Sequence, residues 1–268
     1  MKSTIIVAGF NSSHSTLATV KYFGPLNITI PPLSVPLYGN TAVYIKGTLY
    51  SCGAYRGNGT CYKYNLAANS CSWENFTTIP GDQYTHPAVA FDDFFWYFNE
   101  QIRQVSVNGG SVTSYDWGLG SHGCAVGNGS HTVVIQKWNS SVLMNTDNSS
   151  PFIWTKVVEL NTAVRISGCL WFGNTIYVTG GWNATFYGIN TTQLINTDTF
   201  KLTLGAPLPL AIWDHGMGVI DGKPAVIGGS SNSGLLSSIY VYNSSTNTWS
   251  LSNHSLHGGL RTFGSVTF

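Results

Sequence analysis

Charged and titratable side chains are scarce in this sequence, and several of them recur at one kind of place. Only 9% of the 268 residues are Asp, Glu, Lys or Arg, and there are 7 His. Yet His86 precedes Pro87, His122 precedes Gly123, and Asp214-His215 precede Gly216, while Arg165 and Arg261 stand three residues before Gly168 and Gly264. If the repeats are set around an axis, a position that collects His, Arg and Asp brings those groups to one locus. Such a locus could capture an anionic or hydroxyl-rich small ligand, with Arg165 and Arg261 as forked donors and the imidazoles of His86, His122 and His215 as donors or acceptors. Tyr84, Trp213 and Phe263 lie beside them and would supply apolar faces. The competing reading is structural, in which the same side chains satisfy carbonyl groups of neighbouring loops.

The elements that must position these residues can be read from the spacing. Gly39, Pro87, Gly123, Gly168, Gly216 and Gly264 mark the starts of six repeats at intervals of 48, 36, 45, 48 and 48 residues. The clearest repeat runs from Asp214 to Trp249. It reads Gly216-Met217-Gly218-Val219-Ile220, the turn Asp221-Gly222-Lys223, Ala225-Val226-Ile227 followed by Gly228-Gly229, Ile239-Tyr240-Val241-Tyr242, and Thr248-Trp249-Ser250. Four short runs of period-two alternation, each bounded by Gly, Asn, Asp or Ser, describe four antiparallel strands. Second strands elsewhere read Leu49–Cys52, Phe94–Tyr97, Thr132–Ile135 and Thr175–Val178.

The diglycine after the second strand, Tyr240 on the third and Trp249 on the fourth make this unit resemble the Kelch repeat. The full diglycine occurs at Gly180-Gly181 and Gly228-Gly229, half of it at Gly9 and Gly53, and the repeat's Trp at Trp73, Trp154 and Trp249. The resemblance implies an all-β, six-bladed propeller that takes up residues 1–268 as a single domain. The run Ile5 to Phe10 reads as a second strand with no first strand before it, and Gly264 to Phe268 as a first strand with nothing after it. Pairing the C-terminal strand with the N-terminal strands would close the ring and remove both free edges.

In such a propeller the loops entering each first strand and the loops between second and third strands share one face. That second ring of loops adds Arg56, Arg103, Trp138 and Trp182 as ligand-binding candidates, each equally readable as packing. Three His on three separate blades lack the paired spacing of a zinc site, so neither a metal nor a cofactor is expected. No Gly-x-Ser-x-Gly elbow is present, and no triad order can be defended around Ser121-His122 or Ser167. Adjacent residues on a strand point to opposite faces, so Asp214 and His215 are not expected to act on one atom together.

The net charge of +1 and scattered Lys and Arg exclude a basic stripe, so nucleic acid is not expected as a partner. No apolar run approaches the roughly 18 residues that a membrane helix needs, and Ile5–Ala8 is too short for a signal-peptide core and reads as a strand. Asn-x-Ser/Thr occurs at Asn11, Asn27, Asn58, Asn75, Asn128, Asn139, Asn148, Asn183, Asn190, Asn243 and Asn253. These suggest a glycosylated, secreted or extracellular protein, and turn-rich composition is the alternative source of the same pattern. Asn11, Asn58, Asn139 and Asn183 fall between second and third strands, where occupied glycans would fence the axial face.

Five Cys cannot all pair with one another. Cys52 and Cys61 face each other across the second and third strands of one blade and are expected to form a disulfide, with Cys71 as the competing partner. Cys124 and Cys169 occupy matching positions on two first strands and read as small buried residues. Two functions remain open. One is a secreted propeller that binds a small polar or carbohydrate ligand, or a protein partner, at its axial face. The other is an enzyme, for which the resemblance offers sugar mutarotation or isomerisation by proton transfer.

Overall fold

The computed structural model describes residues 2–11, 15–25, 28–53, 59–68, 70–81, 86–98, 101–116, 122–136, 139–147 and 153–268. All regular structure among them is β, in six antiparallel sheets that follow one another around a ring, with one short extra hairpin. The innermost strands are Thr41–Ile45, Ala88–Ala90, His122–Gly127, Gly168–Phe172, Gly216–Ile220 and Gly264–Thr267. We call their sheets blades 1 to 6 in that order. In blade 6 the strand Gly264–Thr267 pairs with Thr4–Asn11, in the register Val7 opposite Gly264 and Thr4 opposite Thr267. The ring is thus closed by the two ends of the chain, as expected.

Alternation explains why the second strands read as nearly continuous apolar runs. They are covered on both faces by neighbouring blades, so period two selects between two cores rather than between core and water. In Phe94–Phe98, Phe95 and Tyr97 join the core shared with blade 1, while Trp96 and Phe98 join the core shared with blade 3. Six hydrophobic clusters fill the six inter-blade interfaces. Outer strands such as Glu74–Thr78 and Thr155–Glu159 are largely exposed and polar. Where the repeat's Trp is present, in blades 1, 3 and 5, it ties the blade to the one before it. Trp249 Nε1–H donates to Thr192 Oγ1 and Ala206 O of blade 4, Trp73 Nε1–H donates to Pro31 O, and the Trp154 ring packs on Trp96 and Phe98 of blade 2.

The diglycine has an equally local cause. Gly181 N–H donates to Ile212 O at 2.7 Å and Gly229 N–H to Leu260 O at 2.7 Å, so each pair binds the chain entering the next blade. The backbones approach so closely that a Cβ on Gly180 would lie 2.3 Å from Ile212 O. Blade 6 makes the same contact from Gly9 to Leu37 O, with Ala8 held at φ 60° where blades 4 and 5 use glycine.

Two expectations need correction. Cys124 and Cys169 are joined by a disulfide, with Cα atoms 6.1 Å apart. Innermost strands converge toward the axis, so matching positions on adjacent blades come within bonding reach. The other correction concerns register in blade 1. Its innermost strand begins at Thr41, and Gly39 corresponds instead to Ile166, Asp214 and Thr262, each two residues before its strand. The Cys52–Cys61 disulfide is present, and Cys71 is free and exposed.

Candidate functional site

Those four residues, Gly39, Ile166, Asp214 and Thr262, build the rim of the axis. All have positive φ, between 48° and 71°, a conformation that L-residues adopt only when their surroundings hold them there. The turn aims each N–H at the carbonyl of the preceding blade: Asp214 to Ile166 at 3.1 Å, Thr262 to Asp214 at 3.1 Å, and Gly39 to Thr262 at 2.6 Å. A belt of backbone hydrogen bonds therefore runs across four blades and fixes the residues on either side of it.

One residue before this turn stand Arg165, Trp213 and Arg261, and their backbones bridge Trp182, Ser230 and Phe10, the residues that follow each second glycine. Side chains follow the same pairing. The Arg165 guanidinium lies 5.7 Å from the Trp182 ring centre and that of Arg261 lies 5.3 Å from Phe10. Asp214 sits between the two, its side chain 10% exposed, with Oδ2 3.7 Å from Arg261 Nη1.

One residue after the turn stand Asn40, Ser167, His215 and Phe263. Asn40 Nδ2 donates to Val7 O at 3.1 Å and Ser51 Oγ at 2.9 Å. His215 is within a hydrogen bond of Thr179, with Nε2 and Oγ1 2.9 Å apart, and Thr179 gives its own hydrogen to Met217 Sδ. His215 Nε2 is therefore the donor and Nδ1 the acceptor. Added Cβ atoms on Gly168, Gly180 and Gly229 would all strike this side chain, so it is wedged between blades 4 and 5.

Together these positions line an axial cavity of about 530 Å³ to which every blade contributes. Of the residues singled out from sequence, it gathers His86, Arg165, Trp182, Asp214, His215, Arg261 and Phe263. Trp213 stands behind Trp182, ring centres 5.9 Å apart, rather than on the cavity wall. Arg103 is buried in blade 2 with Nη2 donating to Gln101 Oε1, away from the axis. Arg56, Tyr84 and Trp138 lie outside the described residues, as does the side chain of His122, although its backbone begins an innermost strand.

Sequence reasoning gave Asn40 and Thr262 no role and weighed Ser167 only as a nucleophile. Each lines the cavity and carries a buried side-chain oxygen with no hydrogen-bond partner among the described residues, as do the Nδ1 of His215 and the Nε of Arg261. Aligning blade 1 on Thr41 instead of Gly39 would have placed Asn40 level with Ser167 and His215.

Burial pushes the His215 imidazole down to about 4. It raises the Asp214 carboxyl to about 6, against the opposing pull of Arg261 and then Arg165. The two shifts act in opposite directions on stability. Between pH 6.5 and about 4 only the unfolded chain protonates this histidine, so its contribution is complete above 6.5 and is lost as pH falls. Between about 6 and 3.8 it is the folded chain that holds the extra proton, on Asp214, so stability from that group rises as pH falls. At 1.36 kcal/mol per pKa unit each shift amounts to about 3 kcal/mol, and they nearly cancel. Asp214→Asn should therefore lose about 3 kcal/mol more stability than the wild type between pH 6.5 and 4. Urea unfolding at both pH values measures this, and parallel pH profiles for the two proteins would contradict the assignment.

Among the described residues no group of three or more His, Cys, Asp or Glu is placed to hold a metal ion, and no helix is long and apolar enough to cross a membrane. At Asn128, Asn139, Asn183 and Asn243 the side-chain oxygen accepts the N–H two residues on, so these sequons also serve as Asx turns. Asn190 spends its Nδ2 on Leu208 O. Asn27, Asn58 and Asn148 lie outside the described residues.

Residues 214–252 match the Kelch motif, and this segment covers most of blade 5 together with the site residues Asp214 and His215. No curated protein matches the chain. The six-bladed ring and the motif support a Kelch-repeat propeller, a fold that serves in general to bind proteins or small ligands.

Proposed function

We propose that this protein is a secreted, N-glycosylated propeller whose axial cavity holds a small hydroxyl-rich ligand of carbohydrate class, with an acidic group directed at Arg165 and Arg261. The observation that carries this reading is the convergence of Arg165, Trp182, Asp214 and Arg261 on one axial cavity to which every blade contributes. Two guanidinium forks and a carboxyl offer a ligand dense in hydroxyls several charge-assisted hydrogen bonds at once. His215 and Asn40 shape the wall, being tied to the neighbouring blade, while Arg165, Asp214, Arg261 and Trp182 offer the groups a ligand would meet. The two disulfides fit an oxidising compartment, which favours secretion.

The test is binding to an array of acidic and neutral saccharides, repeated with Arg165→Ala and Arg261→Ala. Loss of one charge-assisted hydrogen bond is worth about 1.5–3 kcal/mol, so each variant should bind an acidic saccharide roughly 10- to 100-fold more weakly. Unchanged binding in both variants would place the ligand elsewhere. The enzyme reading is favoured by one feature, the raised carboxyl of Asp214, which can exchange a proton near neutral pH beside two cations. Its mark would be chemical change in the bound sugar that Asp214→Asn abolishes while binding persists.

A further inference from the structure

The loop between the second and third strands of blade 4, residues 182–188, begins at Trp182 on the wall of the axial cavity and carries two exposed aromatic side chains. Phe186 is 65% exposed and Tyr187 71%, while the other aromatic rings among the described residues are mostly packed. Their exposure is built into the fold. Asn183 Oδ1 accepts the N–H groups of Thr185 and Tyr187 and the hydroxyl of Thr185, Asn183 N–H donates to Tyr187 O, and Phe186 N–H donates to Asn183 O. This closed set of bonds holds Phe186 at φ 63°, a conformation costly for a residue with a side chain. The ring is thereby fixed in solvent when a relaxed loop could have tucked it away.

Phe186 is continuous with the cavity through Trp182. Trp182 lines it, stacks under Arg165, and touches both Trp213 and Phe186, with ring centres 5.9 and 6.5 Å apart. Trp213 is seated tightly behind, since a Cβ on Gly188 would lie 2.6 Å from its ring. An aromatic ledge therefore leads outward from the guanidinium of Arg165 through Trp182 to Phe186, with the exposed Tyr187 next in the chain.

We infer that this ledge is a second subsite, which stacks the next pyranose ring of an oligosaccharide whose acidic terminal residue occupies the axial cavity. The inference rests on the ligand class proposed above and extends it from a monosaccharide to a chain. Rigid aromatic faces suit the C–H faces of a sugar ring, and the Phe186 ring lies 6.5 Å from that of Trp182, which lines the hydroxyl-binding cavity. Two exposed rings are far too small for a stable protein interface, which buries about 800 Å² per partner.

The test compares glucuronic acid with a disaccharide that ends in it, by calorimetry on the glycosylated protein and again after enzymatic removal of its N-glycans. The wild type should bind the disaccharide about tenfold more tightly than the monosaccharide. Phe186→Gly, which suits the positive φ and so spares the loop, and Tyr187→Ala should each erase most of that difference and leave the monosaccharide unchanged. Equal disaccharide affinity in wild type and both variants overturns the subsite but not the axial site. Failure of the wild type to bind either sugar overturns both. A preference for the disaccharide that emerges only once the N-glycans are removed would assign the ledge to the chain's own glycan on Asn183, and would overturn the inference as well.

Discussion

Replacing Cys124 and Cys169 together with Ala should lower the unfolding free energy by about 4 kcal/mol, the largest single effect of removing a cross-link here. The bond joins the innermost strands of two blades across a sequence separation of 45, whereas Cys52–Cys61 closes a hairpin at a separation of 9. On the chain-entropy relation the longer loop is worth about 4 kcal/mol and the shorter about 2–3. Both Cys124 and Cys169 also line the axial cavity, so the double variant should weaken saccharide binding, which Cys52→Ala/Cys61→Ala should leave intact. Denaturant midpoints of the two double variants give the comparison. Equal midpoints would mean that blades 3 and 4 are held by their shared core alone.

Gly180→Ala is the second large effect, expected at roughly 3–5 kcal/mol. Two terms add. At φ +53° any side chain strains the backbone, by about 1 kcal/mol or more, and the new Cβ would lie 2.3 Å from the Ile212 carbonyl oxygen. That oxygen is fixed, because it accepts the Gly181 N–H that joins blade 4 to blade 5. Gly222 provides the control, with φ +73° and open space around its Cβ position. Gly222→Ala should cost about 1 kcal/mol, the strain alone. If thermal melts of the two variants shift by the same amount, the collision adds nothing and the diglycine is not an inter-blade lock.

What could be read from the sequence was local or periodic. The Cys52–Cys61 pairing follows from two residues opposite each other on adjacent strands, and it is present at a Cα separation of 4.1 Å. Ring closure could be read because half a blade stood at each end of the chain. The Cys124–Cys169 bond could not, because it depends on how far apart two blades stand at the axis, a distance set by the ring and not by either strand. Asn40 escaped notice for a different reason. Glycine marks the strand start in blades 4, 5 and 6, but in blade 1 it supplies the left-handed turn that Ile166, Asp214 and Thr262 adopt with side chains elsewhere. The repeat position itself was legible, whereas the fate of each side chain was not. Asp214 and His215 diverge, one toward Arg261 of blade 6 and the other toward Thr179 of blade 4, but both precede the strand, and it is the left-handed turn at Asp214 that separates them.

The binding locus itself can be measured directly. Hydrogen exchange of the protein with and without a saturating acidic saccharide would locate it to within a few residues. Protection gathered in 165–168, 214–217 and 261–264, from three different blades, is the result expected of the axial cavity. Protection confined to outer strands such as Glu74–Thr78 or Thr155–Glu159, with the axial segments unchanged, would contradict it.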